Sequence, residues 1–435
     1  MIAEGGSGSP SATGGEAEIG PATCASLGAS ERTFLRRLAS IEPQFPEIGV
    51  LALGAARWSS QWSSQERILL QLSRWYRVFW MNPAPHWREL LSQPRKFGGG
   101  TKDIIPHFTV LDSDFVCPRF SRPRGLQTLL RRLALQRAGR LIRGRRVRRL
   151  ILSIWHPEWI YALDVLPHVM STYHVKDEYS YSTTDHPVPT RERRLLESVD
   201  QVFVVSRNLL GKKGRFNANA ALVPNGVDYA RYAKPGPEPR DLVLIPHPRI
   251  GYTGWIKKQL DWDLVLKLAA RHPEWSFVLV GAKSPHPEMD EVFPRLEAKQ
   301  NVYLLGAKTS GELASYPAYC DALIMPYRMD DYTRYIYPLK LHEYLAAGPP
   351  VVGTPIPSLS EYQDLVRQPI GLDDWSRALT ESLEESKADG DGRRARQAEA
   401  ARHDWPILAC RVAEAMADRL GGTYRAQFDS ARAQQ

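Results

Sequence analysis

The chain of 435 residues carries a net charge of +9, and 43% of its residues are hydrophobic. This length suffices for two α/β domains, each with a hydrophobic core of its own. No apolar run approaches the ~20 residues that a transmembrane helix requires, so we expect no membrane-spanning segment.

The N-terminal composition and the cysteines indicate the compartment. Residues 1–46 are rich in Gly, Ala and Ser and lack the charged start and apolar core of a secretory signal, so we expect a disordered tail. The cysteines are Cys24, Cys117, Cys320 and Cys410. They have neither zinc spacing nor the density of a disulfide scaffold. We therefore expect a cytoplasmic protein without a structural metal.

Residues 47–228 predict a first α/β domain. A helical pattern covers about Gln65 to Arg74, and helical stretches separate most of the strand candidates. The predicted strands are Ile48 to Leu53, Tyr76 to Met81, His107 to Leu111, Arg149 to Trp155, Val169 to Tyr173 and Gln201 to Val205. This alternation predicts a parallel sheet covered on both faces.

The net charge is concentrated in one segment of this domain. Between Arg119 and Arg149 there are twelve arginines and no acidic residue. Four leucines share one face of a predicted helix there: Leu126, Leu129, Leu130 and Leu133. A basic amphipathic helix suits an anionic membrane surface, so the predicted partner of segment 119–149 is a membrane. A solvated helix is the main alternative, and a nucleic-acid patch is the least favoured one.

A second alternation of strands and helices follows a proline-rich stretch. Residues 229–248 contain five prolines and are typical of an interdomain linker. Residues 249–402 then repeat the strand and helix pattern of a second α/β domain. Residues 403–435 predict a helical C-terminal segment.

The window from Tyr337 to Val352 is the most informative one. Pro338 suits the start of a short helix and Gly348 suits its left-handed end, after which a buried strand follows. The free N–H groups at a helix N-terminus bind phosphate well. Glu343 lies one to two turns into the helix, where a carboxylate can accept hydrogen bonds from ribose hydroxyls. The window therefore predicts a nucleotide site, with an ordinary solvated glutamate as the alternative.

This window resembles the donor-binding helix of GT-B glycosyltransferases, specifically the group 1 family related to retaining bacterial enzymes. Many members carry P-L-K-L-x-E-Y-L-A-A-G-x-P-V-V. Four further segments agree in order: Val223 to Asp228, Ile250 to Gly254, Val278 to Gly281 and Asn301 to Gly306. The resemblance covers about residues 170–355 and weakens toward residue 47. It implies two Rossmann-like, doubly wound parallel-sheet domains that face each other across a cleft.

The resemblance implies that the second domain binds a nucleoside diphosphate sugar, most often UDP-linked. The expected donor-binding residues are Gly251, Thr253, Gly254, Lys258, Arg328, Tyr335, Pro338, Leu339, Lys340 and Glu343. The glycines let backbone N–H groups approach the diphosphate, and the cations stabilise the charge that develops on it. Relatives often carry a second glutamate eight positions before Glu343, where this chain has Tyr335. This difference leaves the donor sugar and the stereochemical outcome open.

The resemblance places the acceptor in the first domain. Relatives often have Y-D-x-x-D-(D/E) where this chain has His174 and Asp177, so these two are the catalytic candidates. A carboxylate or imidazole at a strand end can accept the proton of an acceptor hydroxyl. The alternative is that both side chains only bond loop backbone. Asp112-Ser113-Asp114 matches a metal-binding D-x-D formally, but it lies in the wrong domain. We expect neither a metal nor another cofactor.

The sequence thus predicts a hexosyltransferase that acts on a hydroxyl of a saccharide or lipid-linked acceptor in cell-surface polysaccharide or glycan synthesis. The basic segment adds an expected location at the inner face of the membrane. In the resembled fold, a C-terminal helix crosses back onto the first domain, and Trp405 to Leu420 suits that position. The alternatives are a UDP-sugar epimerase of the same fold and a non-catalytic protein that binds a nucleotide sugar or nucleic acid.

Overall fold

The computed structural model describes residues 28–59, 62–92, 99–113, 124–178, 188–388 and 390–432. Cys24, Cys117, most of the predicted tail and the start of the arginine-rich segment, residues 119–123, lie outside these ranges. The strands are β1 (Phe45–Leu53), β2 (Tyr76–Met81), β3 (Gly99–Ile105), β4 (Phe108–Ser113), β5 (Arg149–Ile154), β6 (Met170–Val175), β7 (Gln201–Val204), β8 (Ala220–Leu222), β9 (Arg249–Thr253), β10 (Ser276–Val280), β11 (Val302–Gly306), β12 (Ala322–Met325), β13 (Val351–Gly353) and β14 (Val366–Arg367).

The helices cover both sheets. They are α1 (Ala29–Ala39), α2 (Ser64–Leu72), α3 (Trp87–Ser92), α4 (Arg124–Gly144), α5 (Ala162–Val165), α6 (Thr190–Ser198), α7 (Arg207–Lys213), α8 (Tyr229–Ala233), α9 (Trp262–Arg271), α10 (Pro287–Glu297), α11 (Ser310–Leu313), α12 (Leu339–Ala347), α13 (Pro357–Ser360), α14 (Leu372–Lys387), α15 (Asp391–Ala401), α16 (Trp405–Leu420) and α17 (Gly422–Arg432). Among these described helices, none is both long and apolar enough to cross a bilayer.

Two separate sheets define the architecture. The strand order is β3-β4-β2-β1-β5-β6-β7-β8 in the first sheet and β11-β10-β9-β12-β13-β14 in the second. The described pairs are parallel except for β3 with β4, which are antiparallel at the edge of the first sheet. The predicted α/β fold class is therefore confirmed. In each sheet the chain moves outward in both directions from its first strand, β1 or β9, which creates a crevice at the carboxyl ends of the strands.

Local sequence explains the helix that carries the predicted nucleotide site. Pro338 precedes α12 in an extended conformation, where its missing N–H costs no helical hydrogen bond. Gly348 ends the helix with φ at +98°, a left-handed conformation that suits glycine best. The N–H of Gly348 donates to the Tyr344 carbonyl at 3.0 Å. Both ends predicted from the sequence are therefore confirmed.

Both faces of the first sheet are packed, and one of them is covered partly by the C-terminal helix. The inner face of α16, including Leu408 and Val412, packs in the same core cluster as β1, β2 and α2. On the opposite face, α4 contributes Leu135 and Ile142 to a second cluster. Helix α16 therefore belongs to the core of the first domain, although it follows the second domain in sequence.

The segments predicted as a disordered tail and as an interdomain linker both contain packed residues. Helix α1 lies within the predicted disordered tail, and its Leu35 and Leu38 are buried against the first sheet. In the proline-rich stretch, Leu242 and Ile245 are buried against β10. Glycine, alanine and proline content does not prevent packing where apolar side chains recur among them.

The chain passes between the two domains at two adjacent places. The first passage lies near Val227 and the second near His403 to Trp405. The N–H of Val227 donates to the His403 carbonyl at 3.0 Å, and the N–H of Trp405 donates to the Val227 carbonyl at 3.1 Å. The two passages are therefore joined to each other by backbone hydrogen bonds.

Candidate active site

Two glycines shape the loop at the carboxyl end of β9. Gly254 has φ at +120°, and its N–H donates to the Val280 carbonyl at 2.8 Å. A Cβ atom on Gly281 would lie 1.9 Å from the Gly254 carbonyl oxygen, so this close approach excludes any side chain there. A Cβ atom on Gly254 would lie 3.3 Å from Nζ of Lys340. The crevice between β9 and β12 therefore brings the glycine loop next to the first turn of α12.

Lys340 is held among aromatic rings at this point. Its Nζ donates to the Tyr252 hydroxyl at 3.1 Å and lies 4.6 and 5.7 Å from the ring centroids of Tyr252 and Tyr327. Burial lowers the pKa of Lys340, the positive charge of Lys257 lowers it further, and Glu343 opposes both effects. An anion placed beside Lys340 would therefore restore a strongly charged ammonium group.

Glu343 lies where α12 meets both the first domain and helix α8. Burial raises the pKa of its carboxyl, while positive charges on Arg67 and Lys340 oppose that rise. The carboxyl also takes part in a hydrogen bond with the Tyr232 side chain. Because Arg67 belongs to α2 of the first domain, Glu343 lies at the junction of the two domains. Neither Arg67 nor Tyr232 was predicted from the sequence as a site residue.

The other predicted donor-side cations converge on the start of α10. Nζ of Lys258 lies 3.1 Å from Nε2 of His286, and the Arg328 guanidinium forms an ion pair with Glu288. Lys258 is exposed, and Arg328 is partly exposed. The backbone supports this arrangement, because the N–H of Arg328 donates to the Gln259 carbonyl at 3.0 Å.

Two predicted donor residues have mainly structural contacts. Gly251 lies inside β9, where a Cβ atom would be 2.4 Å from the Cys320 sulfur. Thr253 is buried, and its N–H donates to the Tyr344 hydroxyl at 2.8 Å. Leu339, by contrast, is 36% exposed at the N-terminus of α12. The structure thus brings Gly254, Lys340 and Glu343 together and leaves Gly251 and Thr253 in the supporting sheet.

Tyr335 faces the first domain. Its ring packs against the first-domain core, and Nζ of Lys212 lies 4.8 Å from the ring centroid. Its carbonyl accepts a hydrogen bond from the Ser206 hydroxyl at 2.8 Å. Nearby, Nδ2 of Asn225 donates to the Tyr337 carbonyl at 2.6 Å. The loop before α12 is therefore attached to the strand ends of the first domain.

The two catalytic candidates differ sharply in their surroundings. The predicted strand ended at Tyr173, but β6 continues to Val175, so His174 lies within the sheet rather than in a loop. Its ring stacks on Trp155 with centroids 3.9 Å apart and planes 8° apart. Burial lowers the pKa of His174 to about 3, so the imidazole is neutral at neutral pH and binds a proton poorly.

Asp177 lies two residues beyond β6 and faces the second domain. Burial raises the pKa of its carboxyl, and the ammonium groups of Lys176, Lys213 and Lys257 oppose that rise. Lys257 follows the glycine loop of the second domain, so its effect on Asp177 acts across the cleft. Nζ of the buried Lys213 donates to the Asp177 carbonyl oxygen at 3.1 Å. Of the two catalytic candidates, only Asp177 faces the second domain, where the donor is expected to bind.

A cavity of about 280 Å³ lies at the β1/β5 crevice of the first domain. Its lining includes Gly54, Gln127, Arg131, His156, Trp159 and Tyr161. Burial lowers the pKa of His156, Glu158 opposes this effect, and Lys176 adds to it. Because β5 and β6 are neighbouring parallel strands, His156 and Asp177 follow adjacent strand ends, so the cavity lies at the same edge of the sheet as Asp177. We refer to it as the acceptor-side cavity. In the sequence, the features that indicate this cavity are Gly54 and His156, which follow two neighbouring strands, β1 and β5.

The predicted absence of a metal stays a prediction. Within the described ranges, no group of three or more His, Cys, Asp or Glu residues is arranged to hold a metal ion. Asp112 accepts hydrogen bonds from the guanidinium of Arg57 and the amide of Asn82, both at 2.7 Å. Asp114 lies outside the described residues.

Comparison with known proteins agrees with this geometry. Residues 247–385 match the family described as Glycosyl transferases group 1. The matched residues cover the second sheet, from β9 to β14. The glycosyltransferase match includes the glycine loop, Lys340 and Glu343. TuaH of Bacillus subtilis (strain 168), assigned as a teichuronic acid biosynthesis glycosyltransferase, is 33% identical over 184 residues, which are 40% of this chain. The match spans 45% of that relative.

Solved structures resemble the whole two-domain arrangement. The sucrose-phosphate synthase of Thermosynechococcus elongatus has a TM-score of 0.62 at 14% identity, over 88% of this chain and 99% of that one. HepE of Anabaena, in complex with UDP and glucose, has a TM-score of 0.60 at 14% identity, over 85% of this chain and 99% of that one. With two parallel-sheet domains facing a cleft, these likenesses show the GT-B fold.

Proposed function

We propose that the protein is a glycosyltransferase that moves a sugar from a nucleoside diphosphate sugar to a hydroxyl group of a saccharide or lipid-linked acceptor. The observation that carries this proposal is the convergence of Gly254, Lys340 and Glu343 at the β9/β12 crevice. A glycine loop, a helix N-terminus with a cation and a nearby carboxylate are the groups that a diphosphate and a ribose require.

Each donor-side group has a role in the proposal. Glu343 accepts hydrogen bonds from the ribose hydroxyls, in exchange for part of its contact with Tyr232. Lys340 and the free N–H groups at the start of α12 bind the diphosphate. Lys258 and Arg328 supply further positive charge. Negative charge grows on the diphosphate as the sugar leaves, so these donors and cations stabilise the transition state more than the ground state.

Asp177 is the proposed proton acceptor for the incoming hydroxyl. Burial raises the pKa of its carboxyl, and a raised pKa makes a carboxylate a stronger base. The acceptor sugar would occupy the acceptor-side cavity, where the partly buried rings of Trp159 and Tyr161 and the polar side chains of Gln127 and Arg131 face it. Closure of the domains would exclude water and limit hydrolysis.

The comparisons support the substrate classes of this proposal. HepE was solved with UDP and glucose, another neighbour was solved with UDP-2-fluoro glucose, and TuaH is assigned to teichuronic acid biosynthesis. We therefore propose a UDP-sugar donor and an acceptor in cell-surface polysaccharide synthesis. We propose retention of configuration only from the resemblance to retaining bacterial enzymes. The structure adds no support, because Tyr335, which replaces the second glutamate of those relatives, packs against the first domain. We propose no metal cofactor.

Thermal unfolding with UDP, GDP or ADP tests the donor site. A ligand that binds only the folded state stabilises it by about 2.7 kcal/mol at about 100 times its dissociation constant. We expect UDP to raise the melting temperature of the wild type and of Glu384→Ala, an exposed matched control on α14. The shift should be lost in Glu343→Ala. No shift with any nucleotide at millimolar concentration would contradict the proposed function.

We also propose that α4 binds an anionic membrane surface at the inner face of the membrane. Leu126, Leu129 and Leu133 are 40, 54 and 43% exposed. Leu130, predicted to share their face, packs partly against the core instead. The exposed side of the later turns carries arginines: Arg132, Arg137, Arg140 and Arg143. Exposed leucines followed by exposed arginines match a bilayer interface and its anionic headgroups.

Vesicle co-sedimentation tests this membrane proposal. We expect binding to vesicles that contain phosphatidylglycerol, weaker binding in high salt, and little binding to pure phosphatidylcholine. The double variant Leu129→Ser/Leu133→Ser should reduce binding. Leu244→Ser serves as the control because Leu244 is 90% exposed on the other domain. Equal binding of both variants to anionic vesicles would disprove the role of α4.

A further inference from the structure

Helix α1 contacts both domains. Its buried residues Leu35 and Leu38 pack in the core of the first domain. The helix also contacts α11 of the second domain, where Oε1 of Glu31 accepts a hydrogen bond from the Ser310 hydroxyl at 3.0 Å. Helix α1 therefore links the two domains through side chains, in addition to the two passages of the chain.

A buried ion pair attaches the start of α1 to helix α8. Nη1 of Arg231 donates to Oε1 of Glu31 at 2.8 Å, and the two side chains are 11% and 4% exposed. Burial acts to raise the pKa of Glu31, but Arg231 and hydrogen bonds to the carboxylate lower it overall, so Glu31 is charged at neutral pH. Arg231 has a second carboxylate partner, because its Nε lies 3.2 Å from Oδ2 of Asp228. Asp228 precedes α8 directly, whereas Glu31 holds the helix from another part of the chain.

Helix α8 packs directly on α12, the helix that carries Glu343. The two helices contact each other, and Tyr232 of α8 is buried in the same core cluster as Leu341 of α12. The Tyr232 side chain also shares a hydrogen bond with the Glu343 carboxyl. Arg231 and Tyr232 are neighbours in a helix of five residues. The pair with Glu31 and the contacts with α12 therefore hold one short element from two sides.

We infer that Glu31 is a positioning residue for the donor site: it fixes α8 through Arg231, and α8 fixes the Glu343 carboxylate toward the ribose. This role rests on the proposed function. A carboxylate must lie within about 3 Å of a hydroxyl oxygen to accept its hydrogen bond, so a small shift of α8 weakens the contact with the ribose. The diphosphate is bound by Lys340 and the start of α12 and is less affected.

The affinity for UDP, compared with that for 2′,3′-dideoxy-UDP, tests this role in titration calorimetry. The ratio of the two dissociation constants measures the contribution of the ribose hydroxyls, because diphosphate binding cancels in it. We expect the wild type to prefer UDP. Glu31→Gln keeps the size of the side chain and removes its charge. It should reduce the preference by about three- to tenfold, the effect of weakening a hydrogen bond to a charged group.

Three further variants make the test specific. Glu42→Gln is the control, because it removes an equal charge just beyond α1 from a side chain that is 85% exposed, and it should keep the wild-type preference. Arg231→Gln should reduce the preference as Glu31→Gln does, and the double variant should reduce it little further, since the same contact is lost. Tyr232→Phe removes only a hydroxyl, and it should reduce the preference even where a change in the buried pair prevents folding.

Two results overturn the inference. One is a wild-type preference for UDP in Glu31→Gln, Arg231→Gln or Tyr232→Phe. The other is an equal weakening of UDP and 2′,3′-dideoxy-UDP in Glu31→Gln, because the ion pair is then only structural.

Failure of the proposed function has a different signature. A wild type that does not bind UDP, or binds both nucleotides equally, contradicts the proposed donor site and with it this role of Glu31. Urea denaturation without nucleotide shows whether the contact itself exists. Glu31→Gln and Arg231→Gln should each lower the urea midpoint, and the double variant should lower it by less than the sum of the two changes. Additive changes would show that the two side chains do not interact, which also overturns the inference.

Discussion

The buried lysine beneath Asp177 gives a quantitative test of how the first domain is held together. Lys213 is 0% and Glu192 is 1% exposed, and Nζ of Lys213 lies 2.7 Å from Oε1 of Glu192. The same Nζ atom lies 3.5 Å from Oε1 of Glu178. Glu192 accepts one further hydrogen bond, from the Tyr173 hydroxyl at 2.8 Å. Replacing Lys213 by methionine would leave a buried carboxylate without its counter-charge.

We expect Lys213→Met to lower the free energy of unfolding by about 3–5 kcal/mol, the usual cost of removing one partner of a buried ion pair. Urea denaturation at neutral pH measures this change as a lower midpoint with little change in slope. Lys387→Met is the control. Lys387 is 71% exposed and pairs with Glu384 at 2.7 Å, so we expect a loss of about 1 kcal/mol or less.

The double variant Lys213→Met/Glu192→Gln separates ion pairing from packing. A neutral amide can keep the hydrogen bond from Tyr173 at a smaller desolvation cost than an isolated carboxylate. We therefore expect the double variant to be more stable than Lys213→Met alone. A loss below about 1 kcal/mol in Lys213→Met, or a double variant less stable than the single one, would refute this reasoning.

Three further predictions address other parts of the molecule. The pKa of His174 is lowered from 6.5 to about 3, so the unfolded chain binds a proton that the native chain does not, and stability falls as pH falls across that interval. His174→Phe should reduce this pH dependence by up to about 1.4 kcal/mol per pH unit in urea titrations between neutral and mildly acidic pH, and an unchanged slope would contradict it. Gly348→Ala should cost about 1–2 kcal/mol because φ is +98°, and a melting temperature equal to the wild type would count against a left-handed cap. Leu408→Ala should cost about 2–5 kcal/mol, since Leu408 is 0% exposed in the first-domain core, and a small loss in chemical denaturation would argue that α16 is not part of that core.

The elements that sequence patterns predicted best are those with local or continuous signals. Strand β2 has the predicted bounds, Tyr76 to Met81, because a strand buried on both faces is a continuous apolar run. Helix α12 was predicted because its end signals, a proline and a glycine, are local. Strand β3 begins with glycines and pairs at the sheet edge, so it has no apolar run that could identify it.

The candidate site was predicted best where one segment carries several of its residues. Lys340 and Glu343 lie in one helix, and its N-terminus and residue spacing indicate a nucleotide. Arg67 and Tyr232 reach Glu343 from other parts of the chain, so no local pattern marks them. His174 was misplaced because the length of β6 depends on its pairing with β7, where His174 lies opposite Phe203. These contacts are set by tertiary packing.

The paired passages between the domains also determine how the domains can move. The two passages are hydrogen-bonded to each other through the backbone of Val227, so they form one hinge made of two chain segments. A single connecting segment would act as a swivel, about which the domains could twist freely. A double one allows bending in essentially one plane. Removing the chain after residue 402 would leave a single connection, and because it would also take α16 out of the first-domain core, that domain would lose stability together with the bending joint.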